Sequence, residues 1–324
     1  MIKLKKIIII ISVAVVILLF AGLAFAGNYF YNLALNPNTS KDKVFGTPNE
    51  GVVEVSGVEE SAEIQWKKNK EWLLGESGYK DVYLNSEDGL KLHGYEVENK
   101  EPSDKWVISV HGYMGQGKDM SAYGKNFYDM GYNVLIPDLR SHGTSEGDYI
   151  GMGWDDRKDI IGWINKIIEK NSNAQIVLHG VSMGGGTVMM TSGENLPNNV
   201  KAIIEDCGYT SAKDEFAYQL KELFGLPKFP VINAASIVSK IRAGYWLGEA
   251  SAIEQVAKSK TPMLFIHGDK DDFVPYSMLG EVYNAANCEK EKVVIEGAEH
   301  ANSNKVNPEL YWTSIYNFIN KYVD

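Results

Sequence analysis

Gly180-Val181-Ser182-Met183-Gly184 constrains what this chain can fold into more than any other stretch. It follows the apolar run Ala174-Gln175-Ile176-Val177-Leu178-His179 and leads into Gly185-Gly186-Thr187-Val188-Met189-Met190, so the pattern is a strand, a sharp turn and a helix start. A serine at the tip of such a turn sits in strained backbone geometry, and neighbours without side chains let strand and helix approach. The turn presents Ser182 Oγ outward, while the next N–H groups point the same way from a helix N-terminus. In this context G-x-S-x-G reads as a nucleophile elbow; the plainer alternative is a glycine-rich turn with an incidental serine.

A nucleophilic serine needs a base, and the base needs an orienting acid. Of the six histidines, His111, His179 and His267 each end an apolar run and precede a glycine, which suits structural roles at strand ends. His93 lies in an amphipathic stretch, and His142 lies in a loop upstream of the serine. His300 follows the late apolar run 292–296 through the short loop Gly297-Ala298-Glu299, and is the candidate base. Between serine and base, the run Met263-Leu264-Phe265-Ile266 leads into His267-Gly268-Asp269-Lys270-Asp271-Asp272-Phe273-Val274-Pro275, which holds three candidate acids.

That segment resembles the H-G-x-x-D-x-x-V-P acid loop of the α/β-hydrolases, whose triad order is serine, acid, histidine. The resemblance implies Asp271 as the acid, with Asp269 and Asp272 as local rivals otherwise read as solvated or turn-capping residues. His111-Gly112-Tyr113-Met114-Gly115, after the run 106–110, resembles the family's H-G-x-x-G loop. It implies the backbone N–H groups of Tyr113 and Met183 as oxyanion donors. Pro137-Asp138-Leu139-Arg140-Ser141-His142-Gly143-Thr144-Ser145 resembles the D-x-R-G-H-G-x-S loop, departing at Ser141, where glycine is usual. Asp138 and Arg140 are read there as holding loops by hydrogen bonds, with no catalytic role.

Segments rich in Val and Ile alternate with helical patterns, which argues for a mostly parallel sheet covered on both faces. Strands are expected near 80–85, 90–97, 106–110, 132–136, 175–179, 201–205, 262–266 and 292–296, the first two forming a hairpin. A helix over 155–168 has Ile160, Ile161, Trp163, Ile164, Ile167 and Ile168 on one face. The resemblance implies an α/β-hydrolase domain over 79–324. More than fifty residues separate the strand ending near 205 from that at 262, too many for a plain crossover. They are apolar in patches, including Phe216, Leu220, Phe224, Phe229 and Trp246, and broken by Gly225-Leu226-Pro227-Lys228-Phe229-Pro230. The resemblance implies a small helical lid over about 209–258; the alternative is a set of crossover helices packed on the sheet.

At the N-terminus, Lys3, Lys5 and Lys6 precede an apolar run from residue 7 to residue 26, long enough to cross a bilayer as a helix. The basic flank places the start of the chain in the cytoplasm and the remainder outside. Ala24-Phe25-Ala26 before Gly27 resembles a signal-peptidase site, which would release the protein, while Tyr29, Phe30 and Tyr31 suit an interfacial anchor. The expected organisation is therefore an anchor or signal segment over 1–27, then a tether and packing helix over 28–78. The tether covers 28–58, and in the helix near 60–74 Ile64, Trp66, Trp72, Leu73 and Leu74 are expected to pack on the body.

Cys207 and Cys288 fall at opposite ends of the expected sheet, which argues against a disulfide. The net charge is −10 at pH 7, and the three lysines before the apolar run leave the remainder more acidic still. Such a surface excludes nucleic acid as a partner. Acidic clusters lack the spacing of a calcium loop and no histidine pair is spaced for zinc, so no metal and no cofactor are expected. The resemblance implies a serine hydrolase, similar to bacterial cell-surface hydrolases, serine aminopeptidases and acyl esterases, acting on a carboxylic ester at the outer membrane face. The alternatives are a peptidase or amidase on short peptides or envelope components, and a non-catalytic binding protein that keeps the fold.

Overall fold

The computed structural model describes residues 2–41 and 60–324. Eight strands form one sheet: β1 (Lys80–Asn85), β2 (Lys91–Val97), β3 (Lys105–Val110), β4 (Asn133–Pro137), β5 (Gln175–Val181), β6 (Val200–Asp206), β7 (Met263–Gly268) and β8 (Lys290–Ile295). Their spatial order is β1-β2-β4-β3-β5-β6-β7-β8. β1 and β2 pair antiparallel, β2 meets β4 antiparallel, and every later pair is parallel. β3 and β5 to β7 are almost wholly buried on both faces, as a parallel sheet between helical layers requires.

The helices are α1 (Ile2–Leu35), α2 (Glu60–Gly75), α3 (Ser121–Asp129), α4 (Asp156–Lys170), α5 (Met183–Ser192), α6 (Ala212–Phe224), α7 (Lys228–Arg242), α8 (Ala252–Val256), α9 (Ser277–Ala285), α10 (Ser303–Val306) and α11 (Pro308–Ile319). In α4 the residues Ile160, Trp163, Ile164 and Ile167 are buried, one stripe at helical spacing. α2 docks through Trp72 and Leu73, and Ser121 Oγ accepts from the Leu73 amide while donating to the Asn69 carbonyl. Ile64 and Leu74, expected to pack with them, point to solvent instead, because only part of this short amphipathic pattern meets the body.

α6 and α7 lie between β6 and β7 and form the lid. α6 starts on Ser211, whose hydroxyl accepts from the Asp214 amide, and stops at Gly225, which adopts the left-handed conformation (φ 64°) that glycine tolerates. Pro227 then opens α7. α1 does not stop where its apolar run ends. It continues through residues 28–35, assigned above to the tether, because tertiary contacts hold it helical there. A side chain at Gly27 would lie 2.7 Å from the Ala234 carbonyl oxygen, so α1 and α7 touch backbone to backbone at that point. Arg242 donates to the Asn32 side chain at 2.7 Å and stacks on the Tyr31 ring at 4.3 Å. Residues 42–58 of the expected tether lie outside the described residues.

Two buried polar groups carry the loops at the carboxyl edge of the sheet. Arg140 donates from Nε and Nη2 to both Asp159 oxygens (2.8 and 2.9 Å) and from Nη1 to Asp88 (3.0 Å). Glu205, at the end of β6, accepts from the Gly208 amide through Oε2 (2.9 Å), while its Oε1 finds no partner among the described residues. Burial pushes the Glu205 carboxyl up to about 8, with His267 opposing.

Each group generates a prediction. Arg140→Met strands the Asp159 carboxyl in the core, so unfolding by urea is expected to show a loss of about 3–5 kcal/mol, with most of it recovered in Arg140→Met/Asp159→Leu. Glu205 keeps its proton in the folded state but ionises near its ordinary value of about 4 when unfolded. Its contribution to stability is therefore full below about pH 4 and is lost as pH rises towards 8. Thermal midpoints are expected to fall between pH 5 and pH 8, and Glu205→Gln is expected to flatten that slope.

Candidate active site

β5 ends at Val181 and α5 begins at Met183, leaving Ser182 alone at the turn with φ 58° and ψ −118°. This is a costly conformation for a residue with a side chain. The surroundings enforce it: the Ser182 amide donates to the Asp206 carbonyl (2.8 Å), and the Gly186 amide donates to the Ser182 carbonyl (2.9 Å). A Cβ at Gly180 would sit 2.1 Å from the Gly184 oxygen, and one at Gly184 would sit 2.1 Å from the Val110 oxygen. The two motif glycines are thus required by close backbone approach.

β8 delivers His300 to the same place. His300 Nε2 lies 2.8 Å from Ser182 Oγ, and His300 Nδ1 lies 2.7 Å from Asp271 Oδ2. Asp271, in the loop after β7, accepts from the Phe273 and Val274 amides through Oδ1 (3.0 and 2.9 Å). Burial alone would raise this carboxyl, but hydrogen bonds and charge from His267 and His300 outweigh it and hold it at about 2. Asp269 instead accepts from the Gly297 amide (2.6 Å), bracing the loop that carries His300. Asp272 is exposed, and its carbonyl accepts from the Tyr218 hydroxyl. A serine hydroxyl bonded to an imidazole that is itself oriented by a buried carboxylate can lose its proton as it attacks, leaving an imidazolium that the carboxylate stabilises.

The loop after β3 abuts this serine: a Cβ at Gly112 would lie 3.3 Å from the Ser182 Cβ. Tyr113 and Met183 line the same cavity as Ser182. The Tyr113 hydroxyl donates to the Ala34 carbonyl of α1 at 2.7 Å. The lid helix α6 closes the cavity with Phe216, Leu220 and Phe224, and is tied to the acid loop by Gln219, which donates to the Phe273 carbonyl (2.7 Å). Leu226, Phe229 and Trp246, apolar residues of the same insertion, stand exposed.

The remaining histidines have structural partners. His111 Nε2 accepts from the Leu139 amide, His179 bridges Ser109 and the Tyr311 hydroxyl, and His93 lies between Asp81 and Asp138. His142 Nδ1 faces the Arg140 carbonyl. Asp138 also accepts from the Gly117 and Thr144 amides, so Asp138 and Arg140 hold loops as the sequence suggests. Ser141 has φ 63°, which explains why glycine is usual there, and its hydroxyl donates to the Tyr149 carbonyl. Cys207, Asp271 and His300 bring ligand-type atoms within 4.8 Å of one another. Burial pushes the Cys207 thiol well up, and the Asp271 and His300 atoms are already hydrogen-bonded to one another and to Ser182.

Three contributors escaped the sequence reading. His267, taken as a strand-end residue, has Nε2 3.2 Å from Asp271 Oδ2; its position four residues before the aspartate was the available signal. Phe30, Tyr31, Leu33, Ala34 and Leu35 of α1 wall the cavity, although their stretch reads as a tether in composition. Glu215 of α6, nearly fully buried, puts a carboxyl at the cavity wall, and burial raises it to about 8.

The family model for serine aminopeptidases (S33) matches residues 101–226. The protein YqkD of Bacillus subtilis is 29% identical over 73% of this chain and 77% of its own. The α/β-hydrolase domain-containing protein WAV2 of Arabidopsis thaliana is 24% identical over 75% of this chain and 79% of its own. Among solved structures, the Pyrococcus furiosus esterase Pf2001 superposes with a TM-score of 0.61 at 25% identity, covering 76% of this chain and 93% of that one. The acylaminoacyl peptidase of Pyrococcus horikoshii shares the fold, with a TM-score of 0.59 at 18% identity over 76% of this chain and 41% of its own. With its eight-stranded, mostly parallel sheet and its helical lid, the chain has the α/β-hydrolase fold and is a hydrolase.

Proposed function

We propose that the chain hydrolyses carboxylic esters through an acyl-enzyme on Ser182. The observation that carries this reading is the unbroken hydrogen-bonded series from Ser182 Oγ through His300 to Asp271, at 2.8 and 2.7 Å, on a serine in strained geometry. Ser182 Oγ attacks the acyl carbonyl while His300 Nε2 takes its proton, and Asp271 holds the imidazole and stabilises the imidazolium. The amides of Tyr113 and Met183 receive the oxyanion, the latter from the N-terminus of α5. His300 returns the proton to the leaving alcohol, and water then releases the acid by the same route. The apolar cavity supports an ester with an apolar acyl group.

A second reading, cleavage of short peptides, is favoured by one observation. Glu215 lies in the cavity wall, kept largely protonated by burial and with one oxygen unpartnered among the described residues, and a substrate ammonium brought against it would favour its ionised form. We assign the N-terminal helix as an uncleaved anchor with the hydrolase domain at the outer membrane face. The basic residues before the apolar run support the orientation. The unbroken helix through Ala24-Phe25-Ala26 and the packing of Gly27 on Ala234 support retention of the anchor.

Ser182→Ala is expected to lower kcat on p-nitrophenyl esters by about 10⁴-fold or more without unfolding the protein. Asp271→Asn is expected to cost orders of magnitude more than Asp269→Asn, and equal losses would contradict the assignment of the acid. Faster turnover of aminoacyl anilides than of esters would favour the peptide reading. For the anchor, intact mass of membrane and medium fractions is expected to give the uncleaved chain in the membrane; a chain beginning at Gly27 in the medium would contradict it.

A further inference from the structure

The wall of the Ser182 cavity that faces the lid is built by the same helix that carries the bilayer-length apolar run. Phe30, Tyr31, Leu33, Ala34 and Leu35 line the cavity, and the helix is fixed there from several sides. Tyr113 donates to the Ala34 carbonyl, the Ile150 amide donates to the Leu35 carbonyl (2.8 Å), and Arg242 holds Asn32. α1 is one unbroken helix, so its geometry gives a distance. At about 1.5 Å per residue, Tyr31 lies about 8 Å and Leu35 about 14 Å beyond Ala26, where the apolar run ends. The hydrocarbon core of a bilayer accommodates about 20 such residues, and the headgroup region adds several ångströms on each side. The cavity therefore starts at the depth of the lipid headgroups.

The lid is at the same level. α7 crosses α1 at Gly27, the first residue after the apolar run, and carries Phe229 (73% exposed), Ile237 (50%) and Ile241 (77%). On α1 itself, Phe25 is 75% exposed. Apolar side chains in such numbers around a membrane entry are disfavoured in water and favoured at a lipid surface. Inside, the cavity is lined by Phe216, Leu220, Leu223 and Phe224 opposite α1; burial keeps the Glu215 carboxyl in its wall largely protonated, and among the described residues no Lys or Arg lines it.

We propose that the substrate is a fatty acyl ester drawn from the bilayer in which the protein is anchored. Its chain lies between α1 and α6, its ester carbonyl meets Ser182, and its alcohol portion faces water. The proposal rests on the reading of Ser182 as the nucleophile. The bond between the acyl carbon and the ester oxygen breaks, the alcohol leaves with the proton held by His300, and water supplies the hydroxyl of the released fatty acid.

The test uses the full chain reconstituted in phosphatidylcholine vesicles, with 4-methylumbelliferyl esters from acetyl to palmitoyl placed in the same vesicles or in separate ones. Fluorophosphonate labelling is recorded alongside. Turnover is expected to rise about tenfold or more from acetyl to the long-chain esters, since each buried methylene adds apolar contact. The long-chain rates are expected to fall sharply when protein and ester occupy separate vesicles. Ala34→Trp is expected to move the preferred chain to shorter acyl groups and Phe30→Ala to longer ones; the wild-type ladder itself needs no variant. Labelling at Ser182 with turnover confined to the shortest esters would overturn the proposal and leave the hydrolase reading intact. Equal long-chain rates from the same and separate vesicles would overturn the bilayer as the source. Loss of both labelling and ester turnover in folded protein would overturn the two together.

Discussion

The backbone of Ser182 is the constraint on which the site depends. A residue held at φ 58° and ψ −118° costs about 1–3 kcal/mol, and it persists only because its neighbours leave no alternative. α5 approaches β5 at Gly180 and β3 at Gly184 so closely that neither position accommodates a side chain. The carbonyl of Asp206, from the adjacent strand, fixes the serine amide. Three consecutive strands of the sheet, β3, β5 and β6, therefore meet at one turn, and Ser182 Oγ is presented at the carboxyl edge of the sheet. This is where open α/β sheets place their ligands.

The groups around that serine are held by buried polar contacts, so their positions do not rely on loop stiffness. Asp138 gathers His93, Gly117 and Thr144, and Arg140 joins Asp88 to Asp159. Asp271 is held more firmly still, by two backbone amides on one oxygen and two imidazoles on the other. A carboxylate with four donors stays ionised and fixed in direction, which is what an orienting acid requires. The lid reaches the same loop through Tyr218 and Gln219, so movement of α6 would be felt at Asp271.

Much of this was legible in the sequence, for physical reasons. Strands buried on both faces read as plain apolar runs, and the expected strands coincide with β1 to β8 to within about two residues at each end. Gly225 and Pro227 marked the break in the lid because one takes a left-handed cap and the other opens a helix. The choice of Asp271 over Asp269 came from resemblance to the family, since three aspartates in four residues look alike until the loop is folded. Residues 28–35 were misread because composition describes a segment alone, whereas Gly27 on Ala234 and Arg242 on Tyr31 hold it helical from outside. Ile64 and Leu74 failed in the opposite sense: a helical pattern of apolar residues does not say which of them will find a partner.

The account turns on a covalent intermediate at one oxygen atom. Rapid acid quench of the enzyme during turnover of a slowly deacylating ester, followed by proteolysis and mass spectrometry, looks for that intermediate directly. The expected result is a single acyl adduct on the peptide containing Ser182, formed in a burst and absent from Ser182→Ala. Turnover with no adduct, or with the acyl group on Cys207 or any residue other than Ser182, would contradict the account.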